Sequence, residues 1–417
     1  MSSTESIEAL LSGVRWVRLT FVDVFGTSNA VQLPAARFAR AVEFGEAFDG
    51  SALQGQARAL EADMLLRADP TTLHRSGEVA RVACTVLTPD GVPWPADPRT
   101  ALVGMLDGFG ELAEAWKATA ELELYLLRDG QPLDQAAYFD DNEGLGMRIV
   151  RRAADQLAAA GVDVRACHHE AGPGQYELDL APLGPLAVAD AVVLAKQIVR
   201  DVAEEAGVLA TFMARPLDGQ PGSGLHLLQD VAGLVGPDGK LSPDGESFVG
   251  GLLTHARGLA ALVSPTVNSY KRLHAGPEAP GTAVWAHLNR AALVRIGTPG
   301  PDSGGIEYRG GDPTANPYLL VAGLLVAGGD GLTNGYDPGP PLEEAVDSFD
   351  PAETDAVRYQ PLPRSLDEAL DALLADDALV DAFDHRLLAS LVSGRRAEAE
   401  SYRGHVTDWE RARYLDA

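Results

Sequence analysis

Hydrophobic and polar residues trade places along this chain with two periods. VRWVRLTFVDVFG (residues 14–26) alternates apolar and polar positions and predicts a strand that ends in a turn at Phe25-Gly26. AARFARAVEFG (35–45) has helical spacing. ALEADMLLRADP (59–70) and VARVACTVLTPDG (79–91) predict further strands, the second closed by Asp90-Gly91. PWPADPR, with Pro93, Pro95 and Pro98, punctuates the chain and predicts a domain boundary, giving a strand-rich domain over 1–95 and a second domain over 96–417.

Beyond the boundary helical and strand periods alternate. Helices are predicted over 99–116, 142–161, 185–207, 248–265, 318–332 and 365–383, the last capped by Ser365. Strands are predicted at TAELELYLLRDG (119–130), VDVRACHHE (162–170) and VLATFMARP (208–216).

Several polar features interrupt this pattern. In TAELELYLL, Glu121 and Glu123 stand two apart, which places both on one sheet face, opposite Leu122, Leu124 and Leu126. A solvated face is the plain reading of that pair. In HHEAGPGQYE, Glu170 and Glu177 flank a glycine-containing hairpin, so both can point into one cavity. GSGLH brings a glycine-rich approach to His226, and IEYR puts Glu307 and Arg309 on one face. Residues 270–280 predict an exposed loop, basic at its start and acidic at Glu278; Arg290 and Arg295 follow. Carboxylates and a histidine suit hard divalent ions such as Mg²⁺ or Mn²⁺. Such ions with arginines would clamp a polyphosphate. No GxxxxGK[ST] loop and no dinucleotide fingerprint occurs, so a bound nucleotide needs another architecture.

Composition narrows the classes. The chain has 417 residues, 33 Lys+Arg against 60 Asp+Glu, and a formal charge of −27. That surface repels nucleic acid and anionic membranes. Hydrophobic residues make up 46%, enough for a large core. No apolar run approaches a membrane span, and MSSTESIEALL has no signal-peptide pattern. Two cysteines, Cys84 and Cys167, predict a reducing cytoplasmic location and an inert, buried Cys167.

Taken in order, FDGS, EADM, ELELYL, HHEAGPGQYE, GSGLH, NSYKRLHAGPEAP, NRAALVRI, IEYRGGDPTANPYL and VTDWERARYL resemble the glutamine synthetase superfamily over nearly the whole chain. The resemblance implies an α+β fold: a small β-grasp-like N-terminal domain and a large catalytic domain on a curved antiparallel sheet. It implies ATP as cosubstrate and two to three Mg²⁺ or Mn²⁺ ions. One ion would be held by Glu123, Glu170 and Glu177, another by Glu121, His226 and Glu307. Arg272 and backbone at Gly222 would bind the substrate amino acid, and Arg309 its side-chain carboxylate. Glu278, on a flap, would accept a proton from the amine. Asp49, reaching in from a neighbouring subunit, and Tyr138 match the ammonium site; Arg290 and Arg295 would contact nucleotide phosphates. The activity implied is ATP-dependent ligation of glutamate, or a close analogue, to ammonia or a small amine, in a homo-oligomeric ring of two stacked hexamers.

Departures from the family pattern cluster on the nucleotide side. Leu228 replaces a second histidine, Asp230 a small hydroxyl residue, and Gly305 an arginine before Ile306-Glu307. Pro221 stands where asparagine precedes the glycines, and Asp302 lies near a missing basic residue. Losing an arginine clamp removes about 1.5–3 kcal/mol of charge-assisted binding. Two further readings therefore stand beside the ligase: an enzyme with altered or lost ATP use acting on a carboxylate metabolite, and a non-catalytic ring. Phe349 stands near the tyrosine adenylylated in relatives, which predicts no adenylylation control.

Overall fold

A computed structural model describes residues 11–53, 63–141, 143–276, 278–297, 305–343 and 360–417. Phe349 and Asp302 lie outside them, so the two expectations attached to those residues have no structural counterpart here.

The N-terminal region forms one mixed sheet. Its strands are β1 (Trp16–Val22), β2 (Ser28–Pro34), β3 (Glu46–Asp49), β4 (Asp63–Ala68), β5 (His74–Ser76) and β6 (Val79–Leu87). The order is β2-β1-β6-β4-β3, with β5 on β6; β1 and β6 run parallel, the other pairs antiparallel. One helix, α1 (Phe38–Phe44), buries Phe38 and Ala41 against the sheet. This is the β-grasp arrangement the resemblance implies.

The predicted helix over 99–116 divides at Gly110 into α2 (Pro98–Phe109) and α3 (Glu111–Ala115), and Trp116 already opens the next strand. Asp97 caps α2 by accepting from Thr100 N at 3.0 Å.

The second sheet has nine strands: β7 (Trp116–Arg128), β8 (Gln131–Pro132), β9 (Val164–His169), β10 (Gln175–Leu180), β11 (Leu209–Thr211), β12 (Leu225–Val231), β13 (Trp285–Ala286), β14 (Val294–Ile296) and β15 (Ile306–Tyr308). Its order is β13-β14-β15-β12-β7-β10-β9, antiparallel except for β13 with β14; β8 and β11 also pair with β7. Asp129 (φ 51) and Gly130 (φ 76) turn β7 into β8, since a two-residue hairpin of this hand needs positive φ at both positions.

Helices α4 (Leu145–Ala159) and α5 (Pro185–Glu205) bury apolar stripes. The predicted helix over 248–265 begins earlier, at the Ser242 cap, and breaks at His255 into α6 (Pro243–Thr254) and α7 (Ala256–Val263). The predicted exposed loop at 270–280 instead opens with a short helix, α8 (Ser269–Leu273), that buries Tyr270 and Arg272. Helix α9 (Pro317–Asn334) is apolar on nearly every side and buried, as its composition predicts. The acidic stretch from Ser365 forms two helices, α10 (Leu366–Leu374) and α11 (Asp377–Ala382). Two C-terminal helices without a predicted counterpart follow, α12 (His385–Gly404) and α13 (Asp408–Tyr414). The strand expected over 208–216 shortens to β11. Cys84 is buried, but Cys167 is only half-buried, which corrects the buried reading. Among the described residues no helix is long and apolar enough to cross a membrane.

Candidate active site

Strand register explains how the acidic residues meet. Across β7 and β10, Glu121 faces Asp179 and Glu123 faces Glu177. On the other side of β7, His226 of β12 faces Glu121, and β15 brings Glu307 opposite Leu228. Alternation sends Leu122, Leu124 and Leu126 to the opposite face, where all three are fully buried. The solvated-face reading of Glu121 and Glu123 therefore fails: Glu123 is 8% exposed, and both acids line a cavity of about 840 Å³.

Two clusters of candidate ligands form there. Glu121, His226 and Glu307 each present an atom within 4.8 Å of the others, which is the grouping the resemblance implies. The second cluster is His168, Glu177 and Asp179. Glu123 and Glu170 line the same cavity, but the tighter grouping at Glu177 is with His168 and Asp179. The three acids of the implied trio thus share this cavity, with Glu170 in hydrogen-bond reach of Glu177. The hairpin twist brings Glu170 Oε2 to Ala171 N (3.0 Å), while Gln175 Nε2 holds Glu123 Oε2 (3.0 Å).

Burial of several carboxylates together disfavours their ionised forms. Glu121 is pushed up to about 8 by burial, then by Glu307 and Asp179. Glu177 is pushed up to about 12 by burial and by Glu123 and Glu121. Glu123 and Glu170 move up as well, chiefly through burial. Glu307 goes the other way. Burial would raise it, but Arg309 and Arg295 outweigh burial and hold it ionised. Arg295 Nε donates to Glu307 Oε2 at 2.6 Å and Arg309 Nη1 to Oε1 at 2.7 Å.

His226 is pushed down to about 3, by burial and then by Arg309, so its imidazole is neutral. Arg272 Nη2 lies 3.1 Å from its Nε2, and a guanidinium only donates, so Nε2 accepts there. Nδ1 then carries the proton and faces Glu121 Oε2 at 3.2 Å. The carboxylate oxygens of Glu121 and Glu307, with His226 Nδ1 once that nitrogen gives up its proton, form a donor set that fits Mg²⁺ or Mn²⁺.

The remaining predicted residues fall as follows. Gly222, Arg272, Arg309, Tyr138, Glu278, Arg290 and Arg295 all line the cavity. Arg272 is buried and also donates to the Arg309 carbonyl at 3.0 Å. A Cβ on Gly222 would come 2.6 Å from the Arg272 side chain, so glycine permits this close packing. Arg290 lies 3.9 Å from Glu278 at the exposed mouth. Asp49 does not line the cavity. It sits exposed on edge strand β3, where its carboxylate accepts from Ser51 N (2.9 Å) and Ser51 Oγ (2.6 Å).

Several site residues carried no role in the sequence reading. Asp179 continues the period of two from Glu177, and that signal was available. Gln175 joins Glu123 to the Gly222 carbonyl (3.0 Å each), inside a motif already singled out. Asp134 gathers His169 Nε2 (2.8 Å), Gly174 N (3.1 Å), Ala136 N (3.2 Å) and the Tyr176 hydroxyl. Those partners come from three separate segments, which no local pattern announces.

On the nucleotide side, Leu228 shares the cavity face with His226 and stands between Thr119 and Glu307 in register. Asp230 is exposed and faces Lys117 across β7. A Cβ on Gly305 would lie 2.9 Å from the Gln229 carbonyl oxygen, so a side chain here needs the backbone to shift.

Comparison with known sequences agrees with this arrangement. Residues 13–89 match the glutamine synthetase β-Grasp domain and residues 96–414 the glutamine synthetase catalytic domain. The chain belongs to the glutamine synthetase family. The glutamine synthetase of Mycobacterium tuberculosis is 38% identical over 430 residues, covering 96% of each chain. That of Thermotoga maritima is 35% identical, covering 99% of each. Among solved structures, a GmaS/ADP complex superposes with a TM-score of 0.86 at 32% identity, over 98% of this chain and 99% of that one. Apo GmaS gives 0.85 at 32% identity over the full length of both.

Proposed function

We propose that this glutamine synthetase family member is an ATP-dependent ligase that joins ammonia or a small amine to the side-chain carboxylate of glutamate or a close analogue. The observation that carries it is buried Glu307, held ionised by Arg295 and Arg309 beside Glu121 and His226, two residues of a cavity that Arg272 also lines. A carboxylate is a poor acyl donor, and transfer of the ATP phosphoryl group converts it into one with a good leaving group. Bound Mg²⁺ or Mn²⁺, held by Glu121, His226 and Glu307 and by the acids around Glu177, would neutralise phosphate charge. Arg272 binds the α-carboxylate, Arg309 faces the reacting carboxylate, and Arg290 and Arg295 hold phosphates. Glu278 takes the proton from the amine and, with Arg290, shields the cavity mouth. Tyr138 lines the acceptor side. Asp49, exposed on its edge strand, completes the site of an adjacent subunit in a cytoplasmic ring of two hexamers, with the chain divided near residue 95.

Phosphate release that depends on glutamate, Mg²⁺ and one amine of a panel (ammonia, methylamine, ethanolamine) is the expected result. No ATP turnover with any of them would reject the ligase. One observation favours a second reading, an enzyme with altered ATP use: Gly305 and Leu228 leave the nucleotide side short of cations. Calorimetry showing tight Mg-ATP binding would exclude that reading.

A further inference from the structure

A second cavity, of about 820 Å³, shares no lining residue with the candidate active site. It opens where the turn after β1 (Phe25–Ser28), helix α5, strand β11 with the residues after it, and helix α12 meet, with Thr266, Pro313 and Thr314 also on its wall. Lys196, Arg200 and Arg395 line it against a single carboxylate, Glu398.

That carboxylate is already engaged. Glu398 accepts from Arg395 Nη1 at 2.6 Å and from Val267 N at 3.0 Å. Lys196 is 8% exposed, and its ammonium donates to the Pro313 carbonyl at 2.7 Å. Among the described residues neither Lys196 nor Arg200 forms an ion pair. Both sit over the Phe212 ring, at 5.8 and 5.0 Å. Arg395 is 7% exposed, stacks on Phe25 at 4.9 Å, and its buried Nε has no hydrogen-bond partner.

Lys196 and Arg200 stand one helical turn apart, where like charges repel. A buried ammonium is unfavourable, and burial followed by Arg200 pushes Lys196 down to about 8, with Asp312 opposing them only in part. Among the described residues two carboxylates act here, and both are engaged: Glu398 holds Arg395, and Asp312, which partly offsets Lys196, accepts from Thr314 N and its hydroxyl. Lys196, Arg200 and Arg395 outnumber these two carboxylates, and an anion from outside would balance the excess positive charge. Phe25, Leu209, Phe212 and Met213 give the cavity apolar walls, which leaves room for a small organic body behind an anionic group.

We propose that this cavity is a regulatory site for a small organic anion, a dicarboxylate or a phosphate ester, bound by Lys196, Arg200 and Arg395. Its link to the active site is direct. Strand β11 pairs with the far end of β7, Thr211 opposite Tyr125 and Ala210 opposite Leu126, two to three residues beyond Glu123. The proposal does not depend on which reaction the active site performs.

The test is calorimetric titration of the full-length protein with inorganic phosphate and, separately, with succinate. It compares the wild type with Arg200→Gln, Lys196→Met and, as a control in the other cavity, Arg290→Gln. The expected result is millimolar or tighter binding of at least one anion, weakened at least about tenfold in Arg200→Gln and Lys196→Met and unchanged in Arg290→Gln. Thermal melts establish that each variant is folded; if Lys196→Met is not, the exposed Arg200→Gln decides alone. Binding of neither anion overturns the proposal. So does binding that survives Arg200→Gln or that is lost in Arg290→Gln, which would place the anion in the active site.

Discussion

Arg295 on β14 and Glu307 on β15 are direct cross-strand partners, and the Arg295 Nε reaches Glu307 Oε2 at 2.6 Å. This pair joins the side of the cavity assigned to phosphate with the side assigned to metal. Glu307 is 1% exposed and remains ionised because cations surround it. Replacing Arg295 with Gln removes one charge-assisted donor and leaves a buried carboxylate short of a partner. We expect kcat/KM for phosphate release to fall about ten- to hundredfold. An unchanged rate would separate Arg295 from the reaction.

The crowded acids predict opposite effects on stability and on metal binding. Glu123, Glu170 and Glu177 line one cavity, and Glu177 is driven far up by burial and then by its acidic neighbours. Saturating Mn²⁺ should raise Tm, by about 2.7 kcal/mol of stability at a hundred times Kd. Glu177→Gln should raise the metal-free Tm, because folding no longer has to protonate a buried carboxylate, and should shrink the Mn²⁺-induced rise. Scanning calorimetry with Mn²⁺ and with EDTA measures both. A lower metal-free Tm in the variant would contradict this account.

Gly305 is a steric requirement as well as a missing arginine. With the Gln229 carbonyl oxygen 2.9 Å from an added Cβ, Gly305→Ala should cost about 1–3 kcal/mol by chemical denaturation. Gly305→Arg should destabilise further and should not strengthen nucleotide binding. A stable arginine variant with tighter Mg-ATP binding would show that the backbone yields.

His255, at the break between α6 and α7, ties two other helices to that corner. Its Nδ1 meets Asp376 at 2.8 Å and its Nε2 meets Asp330 at 3.0 Å. Burial opposes the imidazolium, but the two aspartates outweigh burial and raise His255 above its ordinary 6.5. A raised folded-state value means the contribution is complete below about pH 6.5 and is lost as pH rises through the folded value. His255→Gln should therefore cost about 1.5–3 kcal/mol at pH 5.5, with a smaller loss at pH 9. Melts of both proteins at the two pH values test this; an equal loss at both would mean that His255 is neutral throughout.

Much of this protein was already determined by its sequence. The period of two at Glu121 and Glu123 fixes their common face, because a pleated strand allows no other outcome. Ser365 caps its helix as read, accepting from Glu368 N at 3.2 Å, since that contact spans three residues. The composition of α9 demanded burial. Family motifs, each continuous in the chain, carried the ancestry and the order of the domains.

Tertiary structure alone decided the rest, for a single physical reason: the deciding contacts join residues distant in sequence. Whether the face bearing Glu121 and Glu123 meets solvent or a cavity depends on β10, β12 and β15 arriving beside β7. The grouping of Glu177 with His168 and Asp179 depends on the hairpin register. Arg272, read as part of an exposed loop, is buried because α8 packs under the Arg309 and Gly310 backbone. His255 stands at a helix break that the local pattern did not announce, and its two ring partners, Asp330 and Asp376, lie 75 and 121 residues away. Local pattern specifies which side chains share a face, and the packing of remote segments specifies what that face meets.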